Sequence, residues 1–264
     1  MTRLFGCICN QPQRIKDVLE PVRDVLVADP PVSRWGLGYV QSGQVLLSRN
    51  PRPKPEPIDF FAELESVSSD YVIGATSEPV ALKGSANTQP FRFRSWMFAL
   101  EGSYDGFDEI SPRLTEHIPD YLKRNIKGKM PAEQVFHLFL SMLHDSGKLD
   151  DPNLSLMQSR RALRDALAFV YSLLTKSGVD ASLGNLIVTN SRSMMAVRLG
   201  GPLYVRWLKR LADPRRAESE LRAVLAVSGA GARGTLSEGF EEIPQRSVVA
   251  IARDVTMDIV DLDA

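Results

Sequence analysis

The order of the apolar segments in this sequence predicts an α+β protein with two antiparallel sheets. Short segments typical of strands come first, helical patterns dominate residues 108–178, and further strand patterns follow. With 44% hydrophobic and 24% charged residues, the 264-residue chain has the composition of a globular protein. Since no internal repeat and no convincing boundary divides the chain, we expect one domain over residues 1–264.

The first part of the chain is predicted to form a strand, a kinked helix and a hairpin. Residues 3–9 are apolar and end at a polar Asn-Gln-Pro, which indicates a buried central strand. Apolar residues at helical spacing over 12–27 predict a helix that Pro21 kinks or divides. A hairpin is expected around Ser42 and Gly43. Alternate prolines over 50–57 predict an extended, polyproline-like run, as a rigid surface connection or as a ligand for a small binding module.

The remaining elements are predicted from spacing in the same way. Helices are expected over 58–66, in two or three segments of 108–148 (the clearest over 131–144), and from 156 to a point near Gly178. Strands are expected over 71–75, 95–100, 183–190, 194–199, 203–208, 221–228, 247–252 and 257–262.

Charge and cysteine content exclude several classes of function. Lys and Arg together number 32, as do Asp and Glu, so no net field would gather nucleic acid or an anionic membrane. No run reaches the ~18 apolar residues of a membrane span, and no signal peptide is recognisable. Cys7 and Cys9 lie two apart in a predicted strand, where a disulfide has poor geometry. Reduced thiols of this kind are typical of the cytoplasm, where we expect the protein.

Two further motifs are interpreted as structural. Residues 229–234 match the G-x-G-x-x-G pattern of dinucleotide sites, but no helix is predicted to begin there, so we expect a flexible glycine loop. The three histidines, His117, His137 and His144, have no acidic partner at ligand spacing. The sequence therefore predicts neither a metal site nor a cofactor.

Four short motifs occur in the order known from one enzyme family. The stretches are RWGLGY (34–39), NTQPF (87–91), WMFALEG (96–102) and FEEIP (240–244). They resemble D-G-W-G-(I/L/V)-(G/A)-(F/Y), N-x-H-P-F, W-x-(F/L)-x-H-N-G and W-x-x-(I/V)-P-x-G of the stand-alone bacterial class II glutamine amidotransferases. The resemblance implies a four-layer αββα sandwich of the N-terminal-nucleophile hydrolase type, with one glutamine amidotransferase type 2-like domain spanning the chain.

Several catalytic positions implied by the resemblance are altered. Thr2 stands where the family has its cysteine nucleophile, and it could act only if Met1 is removed. Ser77 stands where the family's arginine binds the substrate carboxylate. Glu101 replaces the asparagine that donates to the oxyanion, whereas Gly102 retains the glycine of that motif. Met130 to Glu133 correspond loosely to the family's T-D-S-E, whose aspartate binds the substrate amine and is absent here.

Three hypotheses of function follow from the resemblance. The first is an amidotransferase-like protein without glutaminase activity that binds a small-molecule amide or a protein partner, with Ser77, Asn87 and Thr88 in the old substrate site. We expect Glu101 in this case to pair with Thr2, with the N-terminal amine, or with an arginine at position 3, 34, 92 or 94. The second is a threonine-nucleophile amidohydrolase acting on an amide other than glutamine. The third is an ordinary glutamine amidotransferase.

Overall fold

The computed structural model describes residues 3–77, 82–103, 105–211, 220–229, 236 and 238–264. Its strands are β1 (Arg3–Cys9), β2 (Val27–Gln41), β3 (Gln44–Asp59), β4 (Tyr71–Ser77), β5 (Phe91–Phe93), β6 (Trp96–Ser103), β7 (Ser182–Thr189), β8 (Met194–Val197), β9 (Leu203–Leu211), β10 (Glu220–Ser228), β11 (Glu241–Glu242), β12 (Ser247–Ile251) and β13 (Met257–Asp261). Its α-helices are α1 (Ile15–Leu19), α2 (Phe60–Glu63), α3 (Ser111–Glu116), α4 (Asp120–Lys123), α5 (Pro131–Asp145) and α6 (Leu156–Ser177). Short 3₁₀ helices lie at Pro12–Arg14, Glu20–Leu26, Leu64–Ser66, Ser85–Asn87 and Phe107–Glu109.

The strands form two antiparallel sheets, as the sequence predicted. The first has the order β11-β9-β10-β1-β4-β2-β3, and the second β13-β12-β8-β7-β6-β5. β1 lies at the centre of the first sheet, where Phe5 is paired with Val227 of β10 and with Gly74 of β4. The prediction of a central strand over residues 3–9 is therefore confirmed.

Three hydrophobic clusters show how the sheets and helices are layered. Leu4 and Ile8 of β1 pack against Ile187 of β7, so one face of each sheet meets the other. Phe5 and Cys7, on the opposite face of β1, pack beneath α1, α2 and the neighbouring 3₁₀ turns. The outer face of the second sheet is covered by α3 to α6. The alternation of side chains along a strand thus gives β1 two buried faces, and the layers follow the order helix, sheet, sheet, helix.

The predicted start of α5 at Pro131 and the predicted end of α6 near Gly178 are confirmed. At its start, α6 is capped by Ser155, which accepts a hydrogen bond from the backbone N–H of Gln158. The Gln158 side chain bonds back to the Ser155 backbone, which completes a capping box. Gly178 ends α6 in the left-handed conformation, at φ 65°.

Proline has the predicted effect on the first helix. α1 ends at Leu19, and a tighter segment continues from Glu20 through Pro21. Val22 there has non-helical angles, φ −123° and ψ 21°. The hairpin prediction is also confirmed, since Ser42 and Gly43 form the turn between β2 and β3 with positive φ at both positions.

The proline-rich run forms part of a strand, which corrects the prediction of a separate surface connection. β3 continues through residues 50–57 to Asp59 and pairs with β2, where Val32 lies opposite Glu56. β3 is the edge of its sheet, and an edge is where a strand tolerates prolines because one side needs no ladder hydrogen bonds. The helix expected from residue 58 accordingly begins later, at Phe60, with Asp59 as its cap.

The two cysteines are free and buried on the helix-facing side of β1. Burial raises the pKa of Cys9 to about 11, which keeps the thiol protonated at neutral pH. The glycine loop expected over residues 229–234 lies outside the described residues except for Gly229. In the part of the chain that the structure describes, no helix is both long enough and apolar enough to cross a membrane.

Candidate functional site

The candidate site lies where β1 begins, at one end of the two sheets. Thr2 precedes β1 and lies outside the described residues. Ser77 ends β4, and its backbone is paired with that of Arg34 on β2. Glu101 and Gly102 lie on β6 of the second sheet, where Leu100 pairs with Leu186 but Gly102 pairs with Leu183. The shift places two residues of β7, Gly184 and Asn185, opposite Glu101, which is a bulge in β7. Bulges commonly redirect a side chain beside a functional site.

The Glu101 carboxylate is held by hydrogen bonds from both sheets. Its Oε1 accepts a hydrogen bond from Ser228 Oγ at the end of β10. Asn185 of β7 donates to the carboxylate from its side chain and its backbone N–H. Burial raises the pKa of Glu101 to about 7, against the opposing effect of these donors and of the Arg3 charge. A partly buried carboxylate that accepts hydrogen bonds thus stands where the resemblance implies an oxyanion donor.

Ser228 connects this carboxylate to the first strand. Its hydroxyl is buried and accepts a hydrogen bond from the backbone N–H of Leu4, over 2.8 Å. Because the same hydroxyl donates to Glu101, one serine bridges β1 and β6, which belong to different sheets. The hydrogen bonds of Ser228 therefore connect the two sheets at the start of β1.

Sequence reasoning did not identify Ser228 or Asn185, although each carries a signal. Asn185 is a fully buried polar residue in the otherwise apolar centre of β7, and Ser228 is a buried serine at the end of the apolar β10. Buried polar side chains are uncommon and normally bonded, so both positions invite a search for partners. Which partners they have depends on the packing of the two sheets, and no local pattern contains that information.

The arginines expected near Glu101 have other direct partners. Arg3 Nη1 donates to the Val27 carbonyl over 2.8 Å, and Arg3 influences Glu101 through its charge. Arg92 donates to the carbonyl of Val45, and Arg94 pairs with Asp150. The proposed pairing of Glu101 with Thr2 or with the N-terminal amine concerns residues beyond the described part and stays a prediction.

Arg34 places a buried cation beside Ser77. The Arg34 side chain is 4% exposed, and its Nη1 donates to the carbonyls of Leu82 and Asn87. Its Nε and Nη2 are buried and have no hydrogen-bond partner among the residues that the structure describes. Burial lowers the pKa of Arg34. Sequence reasoning treated the absence of arginine at position 77 as the loss of a guanidinium, whereas the neighbouring strand brings one to the same end of the sheet.

The side chains of Asn87 and Thr88 form hydrogen bonds with nearby backbone groups. Asn87 Nδ2 donates to the carbonyl of Lys83, and its Oδ1 accepts from the backbone N–H of Lys129 over 2.7 Å. Thr88 Oγ1 donates to the Gly84 carbonyl, and its side chain is buried. These bonds fold the loop before β5 and attach it to the segment that leads into α5.

Gln89 fixes the backbone beside Glu101. Its side-chain amide donates to the carbonyl of Leu100 over 2.9 Å and accepts from the N–H of Leu100 over 2.7 Å. Gly36 allows this loop to lie close to the first sheet, since a Cβ there would be 2.0 Å from the Gln89 carbonyl oxygen. The glycine of the RWGLGY motif and the NTQPF motif therefore meet, and together they position the backbone beside Glu101.

No metal centre is formed by the described residues, among which no group of three or more His, Cys, Asp or Glu side chains could hold an ion. The histidines lie on helices or in helix caps. His137 is buried and contacts the Glu133 carbonyl through Nδ1, and burial lowers its pKa.

Comparison with solved structures supports the resemblance. A glutamine aminotransferase class-II domain protein from Silicibacter pomeroyi superposes with a TM-score of 0.62 at 18% identity, covering 98% of this chain and 99% of that one. A predicted glutamine amidotransferase from Pseudomonas aeruginosa superposes with a TM-score of 0.54 at 13% identity, covering 97% and 98%. No protein-family model and no curated protein sequence matches the chain. The chain thus has the fold of class II glutamine amidotransferase-like proteins over essentially its whole length, as the order of its motifs predicted.

Proposed function

We propose that this protein is an amidotransferase-like member of the N-terminal-nucleophile hydrolase class that has lost glutaminase activity and acts by binding. The observation that carries this proposal is Glu101, a carboxylate that accepts hydrogen bonds from Ser228 and Asn185. Catalysis of amide hydrolysis requires donors directed at the developing oxyanion, and an ionised carboxylate repels that charge. Loss of one such donor typically costs ~10²–10³ in rate.

The residues at the nucleophile position and in the old substrate site also support a loss of glutaminase activity. Thr2 replaces a cysteine, and the polar groups of Asn87 and Thr88 are bonded to nearby backbone. Arg34 remains as a buried cation at this end of the sheets. We infer that a ligand of this site carries an anionic or amide group, and that it is bound without being cleaved.

A screen of amide substrates combined with intact-mass measurement tests the proposal. Purified protein is offered glutamine, asparagine and small N-acyl compounds, and release of ammonia or amine is measured beside the Thr2→Ala variant. We expect no turnover of any substrate by either protein. A chain that lacks Met1 and cleaves one of these amides, with the activity abolished in Thr2→Ala, would establish the threonine-nucleophile amidohydrolase instead.

A further inference from the structure

A cavity opens at the side of the sandwich, away from the Glu101 site, where the edge strands of the two sheets approach each other. Its volume is about 640 Å³, and it is lined by residues of β3, of β5 and its following turn, of α4, and of the segment that leads into α5. The polar and aromatic lining includes Arg49, Arg92, Arg94, Tyr121, Lys127 and Glu133. We call it the edge cavity. It shares no lining residue with the Glu101 site, and its size is that of a small-molecule site.

The edge cavity carries an excess of positive charge. Four cations line it against one carboxylate, that of Glu133. This carboxylate is already bonded to backbone, since it accepts from the N–H groups of Lys127 and Gly128 over 3.0 and 2.8 Å. Burial lowers the pKa of Arg49; Glu133 opposes that change and the charge of Arg92 adds to it. The positive charges of Arg49 and Arg92 thus repel each other, and an anion bound between them would offset this repulsion.

Two of the arginines are held in place by backbone carbonyls. Arg49 donates to the Pro90 carbonyl through Nε and Nη2 and to the Ser85 carbonyl through Nη1. Arg92 Nη1 donates to the Val45 carbonyl over 2.6 Å. A guanidinium has five N–H groups, so each keeps further donors for a ligand. Fixed donors lose less conformational entropy on binding than mobile ones.

Arg94 occupies a backbone position that suits glycine. It lies in the two-residue turn between β5 and β6 with φ 53°, in the left-handed region. Its described ion pair with Asp150 is exposed, and exposed pairs contribute little to stability. Its guanidinium lies over the ring of Phe93, with 5.1 Å between Cζ and the ring centroid. An arginine kept in an unfavourable conformation at a cavity rim is more readily explained by binding than by folding.

The arrangement of donors favours a phosphate over a carboxylate. A carboxylate is planar and is matched by the fork of a single guanidinium. Here the donors lie on β3, on β5, in the turn after it and in the segment before α5, so a ligand with several anionic oxygens can pair with more than one of them. Tyr121, whose side chain is 36% exposed, offers a ring face for the rest of such a ligand. We propose that the edge cavity binds a small phosphorylated molecule that carries a ring, such as a mononucleotide or a sugar phosphate.

Titration calorimetry on the full chain at low ionic strength tests this inference. The probes are AMP and ribose 5-phosphate, with adenosine and ribose as the matched compounds without phosphate. We expect saturable binding of at least one phosphorylated probe with a Kd below ~1 mM, and no binding of the unphosphorylated pair. Lys127→Ala and Arg94→Gly should each weaken binding by about tenfold or more, as expected for loss of a charged donor.

The controls separate binding from folding. Arg94→Gly removes an unfavourable side chain from the turn, so its melting temperature should equal or exceed that of the parent protein. Arg164→Ala on α6 removes a partly exposed arginine outside the cavity and should leave the Kd unchanged. The inference is overturned if neither phosphorylated probe binds, if adenosine or ribose binds equally well, or if Arg164→Ala weakens binding as much as Lys127→Ala. Binding of single-stranded DNA without binding of either phosphorylated probe also overturns it.

Discussion

Glu101 stands where the resemblance of the WMFALEG motif implies an asparagine that donates to the oxyanion. It lies on β6 opposite a bulge in β7, and Ser228 and Asn185 hold its carboxylate near the start of β1. Gly184 leaves room for this arrangement, because a Cβ at that position would be 2.9 Å from the Cβ of Glu101. The surrounding residues thus provide both the space and the hydrogen bonds that the Glu101 carboxylate needs.

The first prediction concerns the pH dependence of stability. The pKa of Glu101 is raised to about 7 from an ordinary 4.5, mainly by burial. The unfolded chain therefore loses this proton first as the pH rises, and the free energy of unfolding falls between about pH 4.5 and about pH 7. The pKa difference corresponds to roughly 3 kcal/mol. Glu101→Gln removes this dependence, so its stability relative to the parent protein should rise by about that amount over this range.

Urea unfolding of both proteins across that pH range measures the effect. Glu109→Gln is the control, since Glu109 is exposed near the start of α3. Parallel pH profiles for the parent protein and Glu101→Gln would show that the carboxylate is as well solvated in the folded state as in the unfolded one.

At the scale of elements, α6 is the helix whose limits are most completely determined by sequence. It packs Leu163, Leu167 and Val170 into the core against the second sheet. Ser155 begins it with a capping box and Gly178 ends it. The pattern of apolar residues and the terminal signals agree, which is why this helix could be predicted almost to the residue.

The second prediction uses two serines of this helix. Ser155→Ala removes the cap of the Gln158 N–H and should lower the free energy of unfolding by about 1 kcal/mol. Ser172→Ala makes the same chemical change inside α6, where alanine has the better helix propensity, and should be neutral or slightly stabilising. Chemical denaturation of the two variants compares them directly. Equal effects of the two substitutions would mean that the cap contributes nothing to the stability of α6.

The proline-rich run shows where prediction from local pattern failed. Alternate prolines over residues 50–57 fit a polyproline conformation, and this predicted a separate connection. The run instead belongs to β3, because the partner strand β2 continues beside it and an edge position needs ladder bonds on only one side. The position of a strand within its sheet depends on distant segments, so the repeat of prolines alone could not distinguish the two outcomes.

At the scale of the whole molecule, the close approach of the two sheets is set partly by glycine. The third prediction is that Gly36→Ala lowers the free energy of unfolding by at least about 1–3 kcal/mol, the usual cost of overpacking. The cause is a contact of 2.0 Å between the added Cβ and the backbone carbonyl of Gln89, which cannot rotate away. Gly201→Ala is the matched control, because no atom of the described residues lies within 4 Å of a Cβ built there. Thermal unfolding with equal midpoints for both variants would contradict the proposed contact.

The fold and the site differed in how far the sequence could predict them. The order of strands and helices, the central place of β1 and the pairing of two sheets were predicted from periodicity and motif order, and the structure confirms them. The predicted strand over 95–100 ended before Glu101 and Gly102, whereas β6 continues through both to Ser103. The donors to Glu101 were missed because Ser228 lies 127 residues away in sequence. Arg34 was missed as a neighbour of Ser77 because strand register brings them together.

We proposed that a carboxylate at position 101 is incompatible with glutamine hydrolysis in this fold. Ammonia release from L-glutamine is the measurement that tests this proposal, made with the purified protein and with Glu101→Asn. We predict no release above background from the parent protein, and none from Glu101→Asn, since Thr2 still replaces the cysteine nucleophile. A turnover above about 1 per second by the parent protein, abolished by Thr2→Ala, would contradict the proposed loss of glutaminase activity.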